Sequence, residues 1–185
     1  MDGSDERLED CMTVATDANE GPNLPDHMTL GDARQWLRDR RLEGAKCPCC
    51  TQFAKVYKRT ITSSMAWALV KMYRAGAADD FVDVPTVLGR GPGRAGDDAK
   101  LVYWGLTLEA HEKRPDGGRA GWWRLTPDGV RFILGTLYVP KYAHVYDGRL
   151  VSPKFSGPLI GIRDALGKRF DLRELMGWSD DEGWA

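Results

Sequence analysis

The sequence predicts an α+β protein: a helical centre followed by a β-hairpin and a capped helix, preceded by a helix with a cysteine cluster and followed by a hairpin-helix extension. Three observations carry this reading. Met65, Ala68, Leu69 and Met72 recur at the spacing of one helix face. Leu106, Leu108 and Ala110 alternate as a strand, and Trp122 to Leu125 returns after the turn-rich stretch Lys113-Arg114-Pro115-Asp116-Gly117-Gly118-Arg119. Thr126-Pro127 then opens a helix that turns Val130, Ile133 and Leu134 inward, with proline at the first helical position.

Composition allows a core of that size. Of 185 residues 42% are apolar, including 7 Trp, 6 Tyr and 5 Phe. No apolar run reaches the roughly 18 residues of a membrane span, and no apolar signal-peptide core stands at the N-terminus. The expectation is a soluble protein of the cytoplasm that does not engage a membrane. The formal net charge of −1 conceals a polar layout. Residues 1–28 carry eight acids against Arg7, residues 29–136 carry 18 Lys and Arg against 12 Asp and Glu, and residues 137–185 balance at seven of each. An acidic arm joined to a basic middle either solvates the chain or competes for a basic surface.

Five segments follow from patterning. Residues 1–28 have few large apolar groups and read as a disordered acidic arm. Residues 29–61 comprise a helix, with Thr29 as cap, Asp32 completing a capping box and Gly44 after its end, and then an extended basic connector. Residues 62–136 hold the central pattern: a helix capped by Ser63 or Ser64, a turn at 83–88, a glycine-rich loop at 89–96, and a short helix capped by Asp97 or Asp98 that turns Leu101 and Trp104 inward. In residues 137–177 short strands at Leu137–Val139 and Ala143–Tyr146 precede an Asp147-Gly148 hairpin turn, and helices follow from Ile162 to Met176, divided at Gly167. Residues 178–185 form an acidic-aromatic tail.

The order Tyr103-Trp104-Gly105-Leu106, hairpin 107–121, and Leu125-Thr126-Pro127-Asp128-Gly129 resembles the winged-helix repressors of the MarR-like type. Their signature is a helix closing on Gly-Leu, a hairpin wing and a return strand ending in Leu-Thr-Pro-x-Gly. The resemblance covers roughly 75 residues and implies a winged helix-turn-helix core. The Cys-Pro-Cys-Cys cluster, the hairpin and Val139-Pro140-Lys141-Tyr142 also look like a small protein of unassigned function encoded by actinobacterial phages, which adds no activity.

The family resemblance implies double-stranded DNA as partner, with the helix before the wing in the major groove and the wing tip on the backbone. Those roles fall on Lys100 and Tyr103 in the helix and on Lys113, Arg114 and Arg119 at the tip, with Arg90 and Arg94 of the glycine-rich loop gripping phosphates. Asp97 and Asp98 depart from this pattern, because carboxylates at the helix start repel phosphates. Backbone-dominated binding by a phage-encoded transcriptional regulator is one expectation. A module that docks a host protein without DNA is the other. The apolar face of Leu166, Phe170, Leu172 and Leu175 packs on the central domain or pairs with a second copy as a homodimer.

Cys47-Pro48-Cys49-Cys50 contains a C-x-x-C pair and resembles a zinc-ribbon knuckle, in which backbone N–H groups point at sulfur. Zinc takes four ligands, at about 2.3 Å for sulfur. Cys47, Cys49 and Cys50 with His144 are the candidate set, with Cys11, His27 and His111 as further sources. Thr51 replaces the usual glycine after such a knuckle. A thiol–disulfide role and buried structural cysteines are the alternatives. No Ser/His/Asp set, paired catalytic carboxylates or phosphate loop stands out, so the chain reads as a binding protein and not an enzyme.

Overall fold

Short-range signals set most of the local structure, beginning with the cap at Thr29. The structure, a computed structural model, describes residues 28–90, 96–110 and 121–178. The expected acidic arm (but for Met28), Arg94, the wing tip with Lys113, Arg114 and Arg119, and the tail beyond Trp178 lie outside the described residues, as do Cys11, His27 and His111. The chain divides at Val56/Tyr57 into two units. This boundary precedes the expected one at 61/62 because the supposed connector contains a strand that pairs within the second unit.

In the first unit, helix α1 (Leu30–Arg40) starts at Thr29, whose Oγ1 accepts the Asp32 N–H at 3.2 Å while the Thr29 N–H donates to Asp32 Oδ2 at 3.3 Å. This is the predicted capping box. Strands β1 (Ala45–Lys46) and β2 (Phe53–Ala54) then form a small antiparallel hairpin, with Ala45 opposite Ala54. Gly44 enters it at φ 95°, and a Cβ there would lie 2.5 Å from Phe53 Cζ. Only glycine meets both the backbone and the space requirement.

The second unit begins with β3 (Tyr57–Thr60), which pairs antiparallel with β7 (Val139–Tyr146); β7 in turn pairs with β8 (Arg149–Ile160), giving the order β3-β7-β8. The two expected short strands before Asp147 are one strand of 8 residues, and its return strand runs for 12. Pairing on both edges holds β7 extended throughout. Asp147 at φ 47° and Gly148 at φ 69° make the predicted tight turn. Pro153 and Pro158 sit in β8, an edge strand, where a missing N–H need not break a ladder.

Helix α2 (Ser63–Arg74) is capped by Thr62, one residue before the expected serines: Thr62 Oγ1 accepts the Met65 N–H at 3.3 Å. It buries Met65, Ala66, Ala68, Leu69, Val70 and Met72, a wider face than predicted, because helices pack around it. Strand β4 (Val82–Asp83) leads into the one-turn helix α3 (Val84–Val87) with Pro85 in its first turn. A 3₁₀ helix spans Asp97–Trp104, then come β5 (Thr107–Glu109), β6 (Trp122–Leu125) and α4 (Pro127–Ile133). The sheet order is β4-β6-β5, so the return strand of the hairpin lies in the middle.

Helices α5 (Ile162–Leu166) and α6 (Leu172–Met176) are divided at Gly167, as predicted. They share one core with the central elements: Leu69, Met72, Leu101, Leu106, Phe132, Ile133, Ile162 and Leu166 are all buried in it. Trp67 stacks on Phe170 at 6.2 Å, and the Trp104 Nε1–H donates to the Pro140 carbonyl at 2.7 Å. The segments expected as a 62–136 domain and a 137–177 extension therefore form one unit. Among the described residues no helix is long and apolar enough to cross a membrane.

Candidate functional site

The helix expected to read a ligand is positioned by a backbone interlock. Gly105, at φ 69°, ends the 97–104 helix, and its N–H caps the Leu101 and Val102 carbonyls. Thr126 reaches back to this terminus: its Oγ1 donates to the Gly105 carbonyl at 2.6 Å, and its N–H donates to the Leu106 carbonyl at 3.1 Å. The same Oγ1 accepts the Gly129 N–H at 3.0 Å and so caps α4. A Cβ on Gly129 would lie 2.1 Å from the Leu106 oxygen. The Gly-Leu and Thr-Pro-x-Gly motifs are thus two halves of one joint, which makes the spacing of threonine and glycine a packing requirement.

The start of that helix differs from expectation. Asp97 and Asp98 do not cap it; the N-cap is Gly96, with no side-chain cap bond. Both carboxylates are instead taken by cations. Lys100 pairs with Asp97, one turn away, and Arg90 pairs with Asp98 across the glycine-rich loop. The Lys100 hydrogen bond holds the Asp97 carboxyl below the ordinary carboxylate range, against some desolvation and aided by the charges of Lys100, Arg59 and Arg90. Two of the residues expected to contact DNA, Arg90 and Lys100, therefore also neutralise the acids that would repel its phosphates. Tyr103 is half-buried and packs against the core, while Asp97, Ala99 and Val102 are the exposed residues of the helix.

Arg59, whose charge acts on Asp97, and the exposed pair Trp122 and Arg124 were not singled out as site candidates in the sequence. Arg59 comes from β3, and only the long-range pairing with β7 could have brought it here. Trp122 and Arg124 are exposed on β6, alternating with buried Trp123 and Leu125, and Arg124 lies over Phe81 at 5.2 Å. Their alternation was legible in the sequence; their outward direction needed the buried partners to be known.

In the first unit the cysteine cluster closes the β1–β2 hairpin. The Cys47 N–H donates to the Gln52 carbonyl at 2.7 Å, the Thr51 N–H donates to the Cys47 carbonyl at 2.8 Å, and Thr51 adopts φ 60°. Thr51 thus occupies the left-handed position where the knuckle pattern has glycine. Backbone N–H groups of Cys49 and, more weakly, Cys50 point at the Cys47 sulfur and lower its pKa; burial opposes this and thiol contacts with Cys50 and Cys49 assist it. All three thiols are free, with Cys49 and Cys50 exposed.

His144 belongs to β7 of the second unit. It is buried, its Nε2 shares a 2.9 Å hydrogen bond with Ser156 Oγ, and its Nδ1 has no partner among the described residues. The expected set Cys47, Cys49, Cys50 and His144 is divided between the two units, and among the described residues no group of three or more His, Cys, Asp or Glu is arranged to hold a metal ion. No family model, curated protein or solved structure matches the chain.

Proposed function

We propose that residues 62–136 constitute a winged helix that binds double-stranded DNA, chiefly through the phosphate backbone, in a phage-encoded transcriptional regulator. The observation that carries this reading is the joint between Gly105-Leu106 and Thr126–Gly129, within the succession α2, β4, α3, 3₁₀ helix, β5, β6, α4. It supports the resemblance because it gives a physical reason for the motif that carries it. The excess of basic residues over acidic ones in residues 29–136, 18 against 12, supports an anionic partner. Base readout by the helix is a minor part of the proposal, since Lys100 is engaged by Asp97 and the exposed Val102 and Ala99 offer no hydrogen bonds.

The test is fluorescence anisotropy with a random duplex pool across a salt series. Affinity falls steeply with salt, and Arg114→Ala with Arg119→Ala weakens binding to all sequences alike. Absence of binding at low salt sinks the proposal. The second reading, a surface that docks a host protein, is favoured by the exposed Val102 and Trp122, 43% and 40% accessible. A nuclease-resistant complex lost on Val102→Asp supports that reading.

A further inference from the structure

Basic side chains of the second unit are held in two ways. At the 97–104 helix, Lys100 and Arg90 meet carboxylates, which offset their charge. On α2 and the segment joining α5 to α6, cations meet aromatic faces and a carbonyl instead. Lys71 Nζ lies over the Trp67 ring, one helical turn away, at 5.6 Å, and the Arg169 guanidinium lies over the Phe170 ring at 5.1 Å. Arg74 Nη1 donates to the Leu175 carbonyl at 2.9 Å. A ring face or a carbonyl holds a cation in place and leaves its formal charge uncancelled.

The two rings join segments far apart in the chain into one surface. Trp67 and Phe170 stack with 6.2 Å between centroids and 27° between planes. Both are half-buried and pack against the core, while Arg74, Lys168 and Arg169 are exposed around them. Residues 67–74 and 168–174 together carry five Lys and Arg against two acids, Asp171 and Glu174. Of these acids, Asp171 is turned to the backbone, its Oδ1 accepting the Glu174 N–H at 2.9 Å.

We propose that Trp67, Phe170, Lys71 and Arg169 form a binding surface for a single-stranded polynucleotide. Rings interleaved with cations suit this ligand, because its bases expose flat faces while its backbone carries charge. Lys71 and Arg169 hold their charges at the ends of flexible stems. Each swings from its ring to a phosphate, and a base takes the face it leaves. A duplex keeps its base faces inside the stack, so stacking of this kind selects the single strand. The surface shares no residue with the one proposed above for duplex DNA.

The experiment is fluorescence anisotropy on the full chain with labelled oligo(dT) and oligo(rU) of about 12 nucleotides, within the site sizes of single-strand binders. Expected is salt-sensitive binding to one or both, the two arms separating DNA from RNA. Lys71→Gln with Arg169→Gln lowers the salt slope by about 1.4, the share of two phosphates on a single strand. Trp67→Leu with Phe170→Leu, at an unchanged far-UV circular dichroism spectrum, weakens binding about tenfold through lost stacking. Arg114→Ala with Arg119→Ala leaves oligonucleotide binding as it was, which separates this surface from the duplex-binding reading. Absence of binding to both oligonucleotides at low salt overturns the proposal. So does a salt slope unmoved by the Lys71 and Arg169 substitutions, and so does a poly-glutamate peptide bound as tightly as either oligonucleotide, since it offers charge without bases.

Discussion

Gly129 is the position where a single added carbon meets the backbone of another element. Its Cβ would lie 2.1 Å from the Leu106 oxygen, and neither group can swing aside as a flexible side chain would. Gly129→Ala should destabilise the second unit by about 1–3 kcal/mol, the cost of overpacking a tight site, read as a lower urea midpoint at unchanged m-value. Asp97 acts through charge instead. Because its folded pKa is depressed, its contribution to stability is present above the unfolded value of about 3.9 and is lost as pH falls through the lower folded value. Asp97→Asn should therefore flatten the acid limb of the stability profile below about pH 4, and only slightly, since the Asp97 side chain is 61% exposed. The same variant frees Lys100. On the DNA-binding reading, affinity at low salt rises and the salt slope steepens by about one phosphate contact, as an anisotropy titration would measure.

At the scale of elements, local chemistry wrote most of what could be read in advance. The Thr29 box, the Gly105 terminus, the Thr126-Pro127 start and the Asp147-Gly148 turn each depend on two or three adjacent residues, and each lies where its residues predict. The misses were of other kinds. Thr62, Ser63 and Ser64 all carry hydroxyls, and which of them caps α2 is decided by packing. The 97–104 segment was legible as a helix but not as a 3₁₀ helix, because the carboxylates that would cap an α-helix are engaged by Arg90 and Lys100. Strand β3 was hidden since its partner β7 lies far along the chain. One side-chain hydrogen bond ties the 3₁₀ helix to that sheet: Trp104→Phe removes the Nε1–H that reaches Pro140 and should cost about 1 kcal/mol, seen in thermal or urea unfolding.

For the whole molecule, the division at Val56/Tyr57 and the single core of the second unit make different demands on its pieces. Residues 57–178 carry that core entire and should fold alone, with dispersed amide resonances. A chain ending at Thr136 loses β7, which pairs β3, and the helices bearing Ile162 and Leu166, so it should give the collapsed spectra of an unfolded polypeptide. Of the candidate interface, sequence reasoning found the motif and the charge, and it flagged Asp97 and Asp98. It could not find that Arg90 crosses the glycine-rich loop to Asp98, because an ion pair between loop and helix has no signature in spacing.

The prolines of β8 bear on how copies of this chain meet one another at high concentration. An open strand edge invites a foreign strand, and nature blunts such edges with residues that cannot donate. Pro158 and Pro153 do this along the exposed border of the β3-β7-β8 sheet, with Lys154 adding charge beside them. Stacking through that border, the route by which a sheet protein turns fibrillar, is thereby discouraged. Pro158→Val should bring thioflavin-positive material out of a clear concentrated solution without lowering the unfolding midpoint of the soluble fraction.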